Sequence, residues 1–199
     1  MKYYSQYGQD QLLNHLLNHK KFGTFIDIGA HDGVTYSNSY FFEKEMQWSG
    51  ICVEPIPEVF KKLVSNRNCI TENCAISDAE GEKDFTVISG YGEMASGFNR
   101  EAVAQSEIEG HGGSYNVIKI PTFRLDTILN KHNIKNADFC SIDVETHEIH
   151  VVKSIDWRIF NIEYLCIEAN TGIEAVVSYL SPFYKKYATI VGDILLKRI

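Results

Sequence analysis

The sequence predicts an α/β fold, a largely parallel sheet with helices on both faces, and three observations carry that prediction. Short β-rich apolar runs alternate with longer runs whose apolar residues recur at helical spacing, the pattern of strand-helix-strand crossovers. A length of 199 residues with 44% hydrophobic content suits one globular domain with a full core, so residues 1–199 are expected to form a single unit. The tail "YKKYATIVGDILLKRI" reads as two strands joined at Gly192-Asp193, an antiparallel hairpin closing the sheet.

Taken in order, residues 1–20 form an N-terminal helical region, with Leu12, Leu13, Leu16 and Leu17 on one face of a helix over Asp10 to Leu17. "TFIDI" is the buried first strand, "SYFFEKEM" a helix and "GICVEP" the second strand. "IPEVFKKLVSNR" is an amphipathic helix with Pro57 in its first turn. "NCITENCAIS" is the third strand. "KDFTVIS" and "YNVIKIPTF" alternate like half-exposed strands and define an inserted hairpin over residues 83–120. Between them, the Gly- and Ser-rich span Gly90 to Ser114 is long for a structureless loop, which marks it as functional. "RLDTILNKH" is a helix, "ADFCSIDV" the fourth strand, "HEIHVVKSI" a helix and "IEYLCIEAN" the fifth strand.

Composition excludes several classes. A formal net charge of −7 argues against nucleic-acid binding, which depends on clustered Lys and Arg. No apolar run reaches the roughly 18 residues needed to cross a bilayer, and the start lacks the layout of a signal peptide. A cytoplasmic protein without a membrane partner is expected; the oligomeric state stays open. The five cysteines form no CxxC pair and read as buried, reduced thiols.

Function is read from the loop after the first strand, "FIDIGAHDGVTYSNS". In an open parallel sheet the ligand cradle lies at the carboxyl ends of the strands. Gly29 and Gly33 allow close backbone approach, while Asp27 and Asp32 present carboxylates to a cation or a hydroxyl. Neither GxGxxG nor GxxxxGK is present, which disfavours a nicotinamide-dependent oxidoreductase and a P-loop enzyme. Glu54, closing the second strand, stands where an acid receives ribose hydroxyls. The ligand so implied has a ribose and a positive or zwitterionic end. Against this stands the plainer reading of a tight turn in which Asp32 caps a helix.

The segments "SQYGQD", "FIDIGAHDGVTYSNS", "WSGICVEPIPEVFKKL", "NCAISDAEGEKDF", "FRLDTIL", "DFCSIDVETHE" and "LCIEAN" resemble, in order and spacing, the FkbM-type methyltransferases. That resemblance implies a Rossmann-like class I methyltransferase fold, a seven-stranded sheet with one antiparallel strand. It also implies S-adenosylmethionine as cofactor, S-adenosylhomocysteine as product, and O-methylation of a sugar or glycan hydroxyl. Position by position it places Asp27, Gly29, His31, Asp32, Ser37 and Asn38 on the cofactor, Glu54 on its ribose, Ala75 and Ile76 beside adenine, and Asp143 near the methyl group. Thr146 stands where the family usually has glycine.

If the acceptor is an alcohol, its proton must leave, and "IDVETHEIH" concentrates the groups that could take it. Asp143 and His147 are the first catalytic choices, with Glu145 positioning them from the start of the next helix. The competing reading makes Glu145 and Glu148 favourable charges at a helix N-terminus and His147 a surface residue. A magnesium ion, if used, would take Asp143, Glu168 and Asn170, oxygen donors suited to it. Gln6 is placed with the cofactor-binding positions; Gln9 and Asp10 beside it border the site, Asp10 equally serving as a helix cap. Arg100, His111, Tyr91, Phe98 and Tyr115 belong to a segment that could close as a lid on a carbohydrate or other small-molecule acceptor. Small-molecule O- or N-methylation, or a fold that binds the cofactor without turnover, are the alternatives.

Overall fold

The computed structural model describes residues 1–90, 92–169 and 172–199. Helix α1 (Gln9–Leu16) is followed by β1 (Thr24–Ile28), α2 (Tyr40–Met46), β2 (Ser49–Val53), α3 (Pro57–Asn66) and β3 (Ile70–Glu72). An inserted region holds β4 (Ala75–Ile76), β5 (Gly81–Ser89), a 3-10 turn at Glu93–Ala95, α4 (Glu101–His111) and β6 (Ser114–Phe123). The chain continues through α5 (Leu125–Lys131), β7 (Asn136–Ile142), α6 (Glu148–Lys153), β8 (Asn161–Glu168), α7 (Ile173–Leu180), β9 (Tyr184–Ile190) and β10 (Asp193–Arg198).

Seven strands form one sheet in the order β3-β2-β1-β7-β8-β10-β9. Strand β10 runs antiparallel to both its neighbours, while β3, β2, β1, β7 and β8 pair in parallel. Strand alternation sorts the core. On β1, Ile26 and Ile28 pack on one face with α5, α6 and α7, through Leu125, Ile128, Val151 and Leu180. Phe25 packs on the other with α1 and α2, through Leu13, Phe41 and Phe42. Both faces are therefore covered by helices, as predicted. Strand order reverses beside β1, whose partners are β2 and β7, and this is where ligands bind in such sheets.

The predicted third strand divides. Residues 70–72 join the main sheet, whereas Ala75 and Ile76 pair with β6 in a separate sheet of order β4-β6-β5. Asn73 makes the break, its side-chain amide donating to the carbonyls of Glu54 (2.8 Å) and Pro55 (3.1 Å). The span read as a loop between the insert strands contains the 3-10 turn and an 11-residue helix. Helix α7 was not foreseen. The closing turn is Val191-Gly192, one residue earlier than expected, because Asp193 already pairs with Ile190. Among the cysteines, Cys69 is only half-buried; the other four are buried, and all five are free thiols. No helix among the described residues is long and apolar enough to cross a membrane.

Candidate active site

A cleft of about 840 Å³ runs along the carboxyl ends of β2, β1, β7 and β8 and the start of β10, a size suited to a cofactor with its acceptor. Gly29 begins its floor. A Cβ on residue 29 would lie 1.8 Å from the Asp143 carbonyl, and its φ of +85° is itself a glycine conformation, so the loop can come this close only without a side chain. The Asp143 amide donates to the Ile28 carbonyl at 3.0 Å, fastening the ends of β1 and β7 together.

The β1 side of the cleft is held by a network behind the loop. Asp27 is buried and accepts a 2.5 Å hydrogen bond from the Ser39 hydroxyl. Ser39 in turn accepts from Arg67 at 3.0 Å. The Arg67 side chain has no exposure; it also donates to the Gly33 carbonyl (3.0 Å) and pairs with Glu43 (2.6 Å). Burial raises the Asp27 pKa, and Arg67 and Ser39 oppose that rise. Sequence reasoning missed Arg67, which reads as an ordinary basic residue ending an exposed helix.

Glu54 closes β2, where both its oxygens are oriented by backbone amides, from His31 (3.0 Å) and Ile56 (2.8 Å). Burial pushes it up to about 7. Ser37 and Asn38 line the same wall. The Ser37 hydroxyl accepts from the amides of Ser39 and Tyr40, and the Asn38 side chain donates to Ser141 at 2.9 Å. The Asn38 Oδ1 is buried without a hydrogen-bond partner, an acceptor left for a donor in the cleft. His31, held at a φ of 48°, also lines the cleft, and both its ring nitrogens are buried without hydrogen bonds. Ala75 and Ile76 form an apolar wall next to Glu54.

Asp32 is placed differently. It does not line the cleft: its carboxylate accepts from the Val34 and Thr35 amides (2.9 and 2.7 Å) and from the Thr35 hydroxyl (2.7 Å). Partial burial raises its pKa, but these hydrogen bonds outweigh that and leave it below the usual range. It stabilises the turn.

The opposite side of the cleft gathers acids. Asp143, Glu145 and Glu168 each place a carboxylate oxygen within 4.8 Å of the others. Asp143 and Glu168 are hydrogen-bonded; burial pushes both upward, the Asp143 charge adding to it for Glu168 and the charges of Glu145, Asp193 and Asp27 for Asp143, whose bond to Glu168 works the other way, so the pair retains a proton near neutrality. Asp143 faces the open cleft, where water softens that effect. Glu145 is not on a helix as expected: Glu145 and Thr146 turn through positive φ (52° and 75°) before α6 begins at Glu148. Arg100 reaches from the insert to bind Glu145 at 2.9 Å instead of entering the cleft.

His147 is buried, with its Nε2 3.1 Å from the Ser77 hydroxyl and its ring stacked on His150 at 4.2 Å and against Phe98 at 4.4 Å. Burial, then the charges of His150 and Lys83, push it down to about 3. Gln6 also borders the cleft, whereas His111 lies beside Glu107 at 3.4 Å, outside it. Tyr115 is outside as well. Tyr91 and Asn170 fall outside the described residues.

The buried Asn38 acceptor, the bare approach at Gly29 and the acid closing β2 fit an adenosine cofactor with a cationic end. With the strand order and its single antiparallel strand, they define a Rossmann-like class I methyltransferase fold. A family model described as "Methyltransferase FkbM domain" matches residues 27–187. The chain belongs to that family, which implies S-adenosylmethionine as methyl donor.

Two solved structures are similar across most of the chain. One is precorrin-6y C5,15-methyltransferase from Geobacter metallireducens GS-15, 10% identical, with 94% of this chain and 84% of that one covered at a TM-score of 0.48. The other, a human methyltransferase 10 domain containing protein, is 11% identical, with 94% and 77% covered at 0.48. No match was found among curated proteins.

Proposed function

We propose that the protein transfers the methyl group of S-adenosylmethionine to a hydroxyl of a sugar or glycan. The observation that carries this reading is the hydrogen-bonded Asp143–Glu168 carboxyl pair, clustered with Glu145 at the end of the cleft. Glu54 receives the ribose hydroxyls, Ala75 and Ile76 flank adenine, and Asp27 with the Asn38 Oδ1 receives the ammonium group. The bound donor supplies a methyl carbon made electrophilic by a cationic sulfur.

Displacement by the acceptor oxygen would break the carbon–sulfur bond, its electron pair staying on sulfur. The hydroxyl proton passes to the Asp143–Glu168 pair, which holds one proton and accepts a second. His147 is the weaker base, since its pKa is low and its Nε2 is engaged with Ser77. Its place is the wall that excludes water, and Arg100 fixes Glu145 beside the reacting oxygen.

Calorimetric titration with S-adenosylhomocysteine, with NAD as control, tests the cofactor half. Micromolar binding of the homocysteine compound alone is expected. Transfer of labelled methyl to a glycoside, with the product's O-methyl located by NMR, tests the acceptor half; label on nitrogen or carbon would refute it.

A further inference from the structure

We infer that the β8–β10 end of the cleft is a stacking subsite for an uncharged, polyhydroxylated ring, with Tyr7 and Tyr36 as its aromatic walls. This inference rests on the methyl-transfer reading above and specifies its acceptor.

The cleft spans five adjacent strands, roughly 19 Å at about 4.8 Å per strand. Glu54 and the glycine loop take up the β2–β1 end, and Asp143 stands at β7. Beyond it the lining comes from residues with no cofactor task, among them Tyr7, Gln9, Glu168, Gly192 and Asp193.

Tyr7 and Tyr36 line the cleft yet remain 48% and 54% exposed. Neither is buried as a core aromatic would be. Tyr36 also holds a φ of 55°, a strained conformation for a bulky residue, and such strain is kept where the surroundings require it. Ser5 forms a parallel bridge with Tyr36, so the two tyrosines sit on paired segments.

Their placement is built in. The Asp10 carboxylate takes the Tyr4 and Ser5 amides (2.6 and 3.2 Å) and the Ser5 hydroxyl (2.6 Å). Gln9 accepts from the Tyr7 amide (2.9 Å) and donates to Asp193 (2.6 Å). Gly192 lies beside the Tyr7 ring, near enough that a Cβ there would touch it at an ordinary contact distance of 3.5 Å.

Charge sets the ligand class. Among the described residues lining the cleft there is no Lys or Arg, while eight are Asp or Glu. A phosphate or carboxylate on the acceptor would face these acids without a countercharge, which disfavours it. A neutral ring can lay its C–H face on the tyrosines and donate its hydroxyls to Glu168 and Asp193.

The test pairs methyl glycosides of neutral hexoses with the matching uronic acids and 2-amino sugars, using labelled S-adenosylmethionine and, separately, S-adenosylhomocysteine binding. Neutral glycosides should be methylated at least tenfold more efficiently than the uronic acids and the amino sugars. Tyr7→Ala and Tyr36→Ala should each raise the acceptor KM about tenfold, leave S-adenosylhomocysteine affinity within twofold, and be rescued by Tyr→Phe. Equal use of uronic acids, preference for the amino sugars, unchanged KM in both alanine variants, or transfer to no glycoside while S-adenosylhomocysteine binds would each overturn this proposal and leave the cofactor reading standing. Failure of the unaltered protein to bind S-adenosylhomocysteine would overturn both.

Discussion

Gly29 lies directly against the backbone carbonyl of Asp143, so closely that one added carbon would stand 1.8 Å from that oxygen. The glycine loop and the end of the β7 strand are thus in contact through bare backbone, and neither can shift without the other. Gly29→Ala should therefore abolish measurable S-adenosylhomocysteine binding and lower the melting temperature; calorimetry and thermal unfolding check both.

Arg67 acts on Asp27 through one hydroxyl, that of Ser39. Arg67→Lys keeps the charge but cannot reach Glu43, Gly33 and Ser39 together. Loss of these buried charge-assisted hydrogen bonds should cost about 2 kcal/mol, roughly 4–8 °C in Tm for a chain of this size. The S-adenosylhomocysteine Kd should rise at least tenfold, as the Asp27 carboxylate becomes harder to keep ionised.

Glu54 gives a pH signature. Its carboxyl, pushed up to about 7 by burial, binds a proton more tightly in the folded chain than at its ordinary 4.5. Between those values the native state holds more protons than the unfolded one, so this group's contribution to stability falls as pH rises through that window. In the proposed binding mode, ribose hydroxyls donate to the ionised form. S-adenosylhomocysteine binding should thus release a proton and tighten by up to tenfold per pH unit below about 7, then level off. Titrations from pH 5.5 to 8.5 should show this slope, and Glu54→Gln should flatten it.

Asp143→Asn removes the proposed base while keeping the shape of the side chain. Methyl transfer should fall by 10²-fold or more, the usual scale for a lost general base, while S-adenosylhomocysteine affinity changes severalfold at most. A kcat measured at saturating cofactor separates the two effects.

Thr146 has a φ of 75°, where a β-branched side chain is strained by about 1–2 kcal/mol. Thr146→Gly relieves that strain against a smaller gain in unfolded-chain freedom. A net stabilisation of about 0.5–1 kcal/mol, or a Tm increase of roughly 1–4 °C, is expected from thermal unfolding.

Much of the sheet is legible in the sequence because β1, β2, β7 and β8 are short apolar runs separated by helical periodicity, and burial on both faces demands that pattern. The insert is less so. "REAVAQSEIEG" is polar on most faces and flanked by glycines, and only Ala104 of α4 is buried, so little periodicity marks it. Helix α7 is short and follows directly on the fifth strand's apolar run. The break at Asn73 depends on hydrogen bonds to Glu54 and Pro55, contacts across some 18 residues that no local pattern displays. In the site, residues ending strands could be read from position: Asp27, Glu54 and Asp143 line the cleft. Asp32 could not be told from a ligand-facing acid, since its turn uses both oxygens, and Arg67 shows its role only when α3 folds back beneath the loop.

Strand β10 follows β9 in the chain yet lies between β8 and β9. Until it arrives, β9 has no partner in the main sheet, and Gln9, near the other end of the chain, has no Asp193 to hold. A growing chain can pair β1 with β2 early, but the segment that carries Tyr7 must wait for position 193. Ejection of β10 by force or mutation should therefore release both β9 and the Gln9 segment while leaving the β1–β2 pairing in place.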